Sequence, residues 1–314
     1  FTSVNIILLQ RVLLVIAWII IGSIIAQGGL AYLNFDFSRV YEIRTSAAEN
    51  LAGIYGYVSG LNAKVLLPFA FLLAVVYKDR VLAIVALSGS IMMFALTAHK
   101  GPLFYPLMAV GLYYVLGRKN IVAVLIFGCT GIVGLSLLSF YVGPPYDWFG
   151  SLMLRRTFLV PAHLNFLYYE FFVTNPFALW ADSKITFGLI DPIYNIGVPQ
   201  LIGWTYYDTV AMSANTGWIG SGYANAGVVG MLLYSIVIGL LFSALDGYSK
   251  YVDKRLLVAI MMAPLFTLFT SSDLPTAFLN HGIILTLMLF AIFPSVSLAQ
   301  GIRPRGQNLE VANS

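Results

Sequence analysis

Three side chains able to act together on one substrate recur at intervals of seven: Arg156, His163 and Glu170. In an α-helix two turns bring residue i+7 back to within about 20° of residue i, so a helix here sets a cation, an imidazole and a carboxylate along one face. The apolar pattern from Phe149 to Val173, carried by Leu152, Leu154, Phe158, Leu164, Leu167 and Phe171, predicts that helix, with a kink at Pro161. From Asn175 to Tyr207 the chain reads as loop and carries Trp180, Asp182, Lys184, Asp191, Tyr194, Trp204 and Tyr206. Aromatic faces stack on the CH faces of sugar rings while carboxylates bond their hydroxyls. Trp and Tyr also gather at any bilayer interface, and both readings stay open.

The elements that must position these residues are membrane helices. Of 314 residues, 60% are hydrophobic and 10% charged, with a mean hydropathy of +0.87. Soluble domains carry roughly a quarter charged residues, and so few charges cannot coat a soluble surface. Apolar runs near the roughly 20 residues that cross a bilayer recur along the chain. Eight spans are read, at about 9–29, 56–77, 81–97, 103–116, 121–141, 226–244, 256–271 and 280–298. With Lys78 and Arg80 on the cytoplasmic side, alternation places Arg11, Arg118, Lys119, Lys250, Lys254, Arg255, Arg303 and Arg305 there too. The segments near 30–55, 98–102, 142–225 and 272–280 then face outward. The expected architecture is an all-α polytopic bundle, one membrane domain over residues 1–314. It has a large outer loop over 142–225 that contains helices, and a cytoplasmic tail over 299–314.

The net charge of +4 and a pI near 9.0 do not point to nucleic acid, because the basic residues form no dense patch and report topology instead. The single cysteine, Cys129, lies inside an apolar run, which leaves no disulfide framework and no zinc ligand set. No spaced cluster of His, Cys and carboxylates argues for a bound metal, and no cofactor is expected. The chain opens on Phe1 rather than Met and is read as a fragment lacking some native N-terminus.

A loop this long in a membrane protein presents something to a ligand. Its last part, Asn215 to Gly230, is rich in glycine and small residues and leads into the next span. Lys64 raises a separate question, because it falls several residues inside the second span near Pro68. Charges within a membrane are costly and read as functional, with snorkelling to the outer surface the alternative.

Four runs resemble one family. Leu96-Thr97-Ala98-His99-Lys100-Gly101-Pro102-Leu103-Phe104 is similar to the T-x-H-K-x-x-L-F junction of bacterial oligosaccharide repeat-unit polymerases, the Wzy-type O-antigen and capsule polymerases. Arg155-Arg156-Thr157-Phe158-Leu159-Val160-Pro161-Ala162 resembles the arginine-led start of their large outer loop. Asn215-Thr216-Gly217-Trp218-Ile219-Gly220, followed by Tyr223, Ala224, Asn225, Ala226, Gly227 and Gly230, resembles the family's Gly-rich approach to a span. Ser272-Asp273-Leu274-Pro275-Thr276 with Asn280-His281-Gly282 resembles the element before the last helix. Together these cover most of residues 90–290. The chain departs from the Arg-x10-Gly motifs of some members. Eleven residues after Arg155 and Arg156 stand Phe166 and Leu167, and eleven after Arg44 stands Tyr55, one residue short of Gly56.

The resemblance implies transfer of a glycan from an undecaprenyl-diphosphate donor to the non-reducing-end sugar of a second undecaprenyl-diphosphate-linked repeat unit. The reaction would run at the outer face of the bacterial inner membrane, among membrane lipid and with a chain-length regulator protein as partner. Diphosphate is already a good leaving group, so the chemistry asks for cations on it, a base for the acceptor hydroxyl, and positioning. Lys100, Arg155 and Arg156 are the outer-face cations, each with the alternative of binding lipid headgroups. His163 is the first choice of base, since neutral imidazole suits work near neutral pH. His99, His281, Glu170, Asp182 and Asp208 are alternatives, and Tyr194, Asn215, Lys64 and Arg44 complete the expected substrate-binding set. An O-antigen ligase or protein O-oligosaccharyltransferase would use the same donor with another acceptor. A lipid-linked glycan flippase would show internal repeats and polar span centres, whereas here most polar residues gather at one side.

Overall fold

The computed structural model describes residues 6–35 and 54–299, and among these every element is helical. Six helices are long and apolar enough to cross a membrane: Ile7–Ala26, Gly56–Val76, Arg80–Thr97, Ile121–Val142, Trp218–Tyr248 and Leu274–Ile292. The chain is a multi-pass membrane protein. Two further segments read as spans are shorter: Gly101–Leu116 has 16 residues and Lys254–Thr270 has 17. At 1.5 Å per residue they reach about 24–26 Å, short of a hydrocarbon core of about 30 Å. Arg44 and the tail beyond residue 299 lie outside the described residues.

The chain divides into two compact units, Phe1–Gly117 with Ser243–Pro264 and Phe278–Ser314, and Arg118–Phe242 with Leu265–Ala277. In the first, the helix from Ile54 to Val76 is the centre, with Leu67, Phe69, Leu72 and Leu73 fully buried. Lipid offers no water to a polar side chain, and two of the buried amides reach backbone carbonyls instead. Gln10 Nε2 donates to the Ala70 carbonyl at 3.2 Å and Asn62 Nδ2 to that of Ala17 at 3.1 Å. Arg80–Thr97 starts where Asp79 accepts a hydrogen bond from the Leu82 N–H at 3.0 Å, an N-cap that satisfies a donor the helix itself cannot.

Both units contain the same local device. A π-helical stretch, Asn62–Leu66 in the first and Ser151–Leu159 in the second, runs directly into an α-helix with proline in its first turn, Pro68 and Pro161. A proline ring clashes with the carbonyl four residues back, which here belongs to Lys64 or to Thr157. The wider π turn moves that carbonyl aside, and Val160 donates instead to Arg155, five residues back. Pro161 therefore changes the pitch of the helix rather than simply kinking it.

The second unit is built on aromatic packing outside the spans. Leu164, Leu167, Tyr168, Phe172, Ile202, Ala214 and Ala224 form its core, with Phe177, Tyr194, Tyr206 and Tyr223 against them. The Tyr168 hydroxyl, fully buried, donates to the Ala214 carbonyl at 3.0 Å. Trp218–Tyr248 is two helices joined by a break at Ala226 and Gly227, where Gly227 holds φ 59° and ψ −141°. The break frees carbonyls that the loop then uses: Ala178 N–H bonds Ala224 O at 2.9 Å and Leu179 N–H bonds Asn225 O at 3.1 Å.

Candidate functional site

In the second unit, Arg155 and Arg156 stand on the π-helical stretch and His163 and Glu170 on Val160–Thr174, all four exposed. His163 and Glu170 share one α-helix, so the seven-residue rule holds for them. Arg156 sits where the turn is wider, and the rule does not carry from it to His163. Glu170 lies near Tyr206 on the Val198–Tyr207 helix, and burial together with the Glu170 charge pushes that phenol above its ordinary range.

Other expected residues of this unit take scaffold positions. Tyr194 packs on Phe171 and Phe172, with ring centroids at 6.0 and 6.2 Å, and its hydroxyl donates to the Pro176 carbonyl at 2.5 Å. Asp208 closes the Val198–Tyr207 helix in a left-handed conformation, φ 54°, with its N–H on the Trp204 carbonyl at 3.1 Å. Asp182 and Asn215 are exposed.

A polar chain through the same unit was not expected from spacing. Trp180 Nε1 donates to the Tyr234 hydroxyl at 2.7 Å, and that hydroxyl donates to Asp273 Oδ1 at 2.7 Å. Asn225 Oδ1 accepts from the Trp180 backbone N–H at 2.7 Å, while its own amide donates to the Ser221 carbonyl at 2.9 Å. Leu179 and Trp180 are both held at positive φ, 52° and 59°, a strained pair that these bonds to Asn225 keep in place. Burial pushes the Asp273 carboxyl above the usual carboxylate range, against the hydrogen bonds from Tyr234, Ser221 and the Leu274 backbone that favour its charged form. Burial, and secondarily the charge of Asp273, raises the Tyr168 phenol as well. The signal available in the sequence was that Trp180, Asn225 and Asp273 fall in segments already singled out. Their mutual contact was not visible.

The first unit holds the remaining residues. His99 Nδ1 lies 2.8 Å from the Thr97 carbonyl. A carbonyl only accepts, so the ring proton is on Nδ1. Lys100 sits beside it at the start of Gly101–Leu116. Lys64 and His281, 217 residues apart, meet with Nζ 2.5 Å from Nδ1. Gly282, at φ 91°, permits the approach, because a Cβ there would collide with Val65 Cγ2. Among the described residues, no group of three or more His, Cys, Asp or Glu side chains gathers to hold a metal.

In comparisons with known proteins, no family description, no curated protein and no solved structure matches the chain. The fold defines the class of multi-pass helical membrane protein, and the chemistry above is the basis for anything narrower.

Proposed function

We propose that this protein is a membrane-embedded glycosyltransferase that polymerises undecaprenyl-diphosphate-linked oligosaccharide repeat units, of O-antigen or capsule type, at the outer face of the bacterial inner membrane. The observation that carries the reading is the exposed helical edge from Ser151 to Thr174. It sets Arg155, Arg156, His163 and Glu170 on a folded, aromatic-cored region between two spans. The acceptor hydroxyl oxygen attacks the anomeric carbon of the donor while the bond from that carbon to the diphosphate oxygen breaks. The bonding pair leaves with the lipid diphosphate, whose charge Arg155 and Arg156 stabilise, and the hydroxyl proton passes to His163. Exposed aromatics such as Trp204 and Tyr207 offer faces for sugar rings.

The test is a laddering assay with purified protein in proteoliposomes and a lipid-linked repeat unit. Wild-type protein should lengthen the glycan. Arg156→Ala should lower turnover about 10- to 100-fold by losing a charge-assisted bond made in the transition state. A single-addition product on a different acceptor, with no ladder, would identify an O-antigen ligase or a protein O-oligosaccharyltransferase instead. A second reading, a lipid-linked glycan transporter, is favoured by one observation. The Trp218–Tyr248 helix breaks at Ala226 and Gly227 and the last helices break between Thr270 and Leu274, and discontinuous helices frame transport sites. Translocation of the lipid-linked glycan without bond formation would select it.

A further inference from the structure

The Lys64–His281 pair is built rather than incidental. Lys64 stands on the π-helical turn Asn62–Leu66, and the segment bearing His281 is laid against that turn through Gly60 and Gly282. A Cβ at Gly60 would come 3.2 Å from the Asn280 carbonyl. Lys64 is eight residues past Gly56, the first residue of its span, so it lies about 12 Å along the helix from that end. An ammonium at such a place needs an anion, because an unpaired charge out of water is expensive. Lys64 forms no ion pair with any described carboxylate, so none of them neutralises it.

A contact between two nitrogens requires one donor and one acceptor. The amine is the stronger base by roughly four pK units in reference compounds, so the proton belongs on Nζ, and His281 Nδ1 offers its lone pair. The neutral imidazole then carries its own hydrogen on Nε2. His281 is therefore a donor polarised by a cation, unsuited to act as a base while Lys64 holds its other nitrogen. Two residues on begins Ile283–Ala299, a helix of 17 residues whose N-terminal end is the positive end of its dipole. Thr286, on the face that Gly282 lays against Val65, is fully buried, and its hydroxyl has no hydrogen-bond partner. Its Cα–Cβ bond leans toward that same helix end.

We propose that Lys64 and His281 form a binding site for a phosphoryl oxygen of a membrane-borne phosphate, with Lys64 supplying charge and His281 Nε2–H the directed bond. Resting on the polymerase reading, this site takes a lipid-linked diphosphate. A polymerase consumes two such lipids per bond formed, one as donor and one as acceptor, and so needs more than one phosphoryl-binding cluster.

The experiment is titration of the full chain, in phosphatidylcholine nanodiscs, with undecaprenyl diphosphate and with uncharged undecaprenol, read by native mass spectrometry. Lys64→Met and His281→Phe should each weaken diphosphate binding about tenfold or more, since a hydrogen bond to a charged group is lost. Undecaprenol binding and melting temperature should stay as in wild type. His281→Gln keeps an N–H near Nε2 and should retain most of the affinity. With three histidines in the chain, 15N-histidine labelling together with the His281→Gln variant assigns the His281 ring. An Nε2–H tautomer is expected, and an Nδ1–H tautomer overturns the assignment. Wild-type diphosphate affinity in both Lys64→Met and His281→Phe, or equal loss of undecaprenol, overturns the site. Competition by phosphatidylglycerol nanodiscs to the same extent would assign it to a phospholipid headgroup, and absence of competition to the lipid-linked diphosphate. Wild-type protein that binds undecaprenyl diphosphate but makes no ladder would end the polymerase reading and leave the site. A ladder from protein whose variants bind normally would do the reverse.

Discussion

At the scale of single residues, the buried carboxyl of Asp273 offers a test independent of substrate. Its pKa in the folded protein is raised above its ordinary 3.8 by burial. A group with a raised folded pKa contributes stability that is fully present below its unfolded value and lost as pH rises through the folded one. Thermal stability in detergent should therefore fall as pH climbs from about 4 through the raised value, over a range in which an ordinary Asp is already ionised. Asp273→Asn should flatten that part of the profile while keeping an acceptor for Tyr234. An unchanged profile would mean that another group titrates. His163 is tested by chemistry instead. His163→Ala and His163→Gln should both depress chain extension by about 100-fold or more, because glutamine hydrogen-bonds but takes no proton near neutral pH. Ladders of wild-type rate from the Gln variant would pass the role of base to Glu170 or Asp208, while membrane insertion serves as the control for folding.

At the scale of elements, the break in Trp218–Tyr248 organises the second unit, since the carbonyls of Ala224 and Asn225 that it frees are the ones the Ala178–Trp180 loop binds. Gly227 adopts a conformation that L side chains rarely take, and a Cβ there would stand 2.9 Å from Phe177 Cζ. Gly227→Ala should cost about 1–3 kcal/mol and lower the melting temperature. Gly239→Ala in the same helix is the control: nothing lies within 4 Å of its Cβ, and alanine is the better helix former. Equal behaviour of the two variants would show that the break is not required. Part of this was legible, since the run from Asn215 to Gly230 is glycine-rich and a span was expected to begin near 226. The π turns were not. A proline in a helical run announces a disturbance, but whether the chain answers with a kink or with a wider turn depends on what the displaced carbonyl can reach. That choice moved Arg156 out of the seven-residue register with His163.

At the scale of the whole molecule, hydropathy is local and was readable, because a run of some 20 apolar residues is specified by its own composition. Contacts across the chain were not. Nothing near Lys64 in the sequence names His281, 217 residues away, and nothing near Tyr234 names Asp273. Topology is where the two kinds of information meet. Ile121–Val142, 22 residues and about 33 Å long, lies between Lys119 and the region that carries Asp182. Between that helix and Asp182 the chain is helical without a break from Trp148 to Thr174, but this run carries Arg155, Arg156 and Glu170 and is not among the helices apolar enough to cross a membrane. Lys119 and Asp182 are then expected on opposite sides, with Arg118 and Lys119 inside if the positive-inside rule holds. Cys129 is the chain's sole cysteine, so Cys129→Ser gives a clean background for labelling. On that background Asp182→Cys should react with a membrane-impermeant maleimide in spheroplasts, and Lys119→Cys only after permeabilisation. Labelling of both from outside would turn Ile121–Val142 into a helix lying along the membrane and overturn the alternation that places Lys119 inside. Labelling of neither until permeabilisation would put the same region in the cytoplasm, where a glycan already carried to the outer leaflet could not reach it.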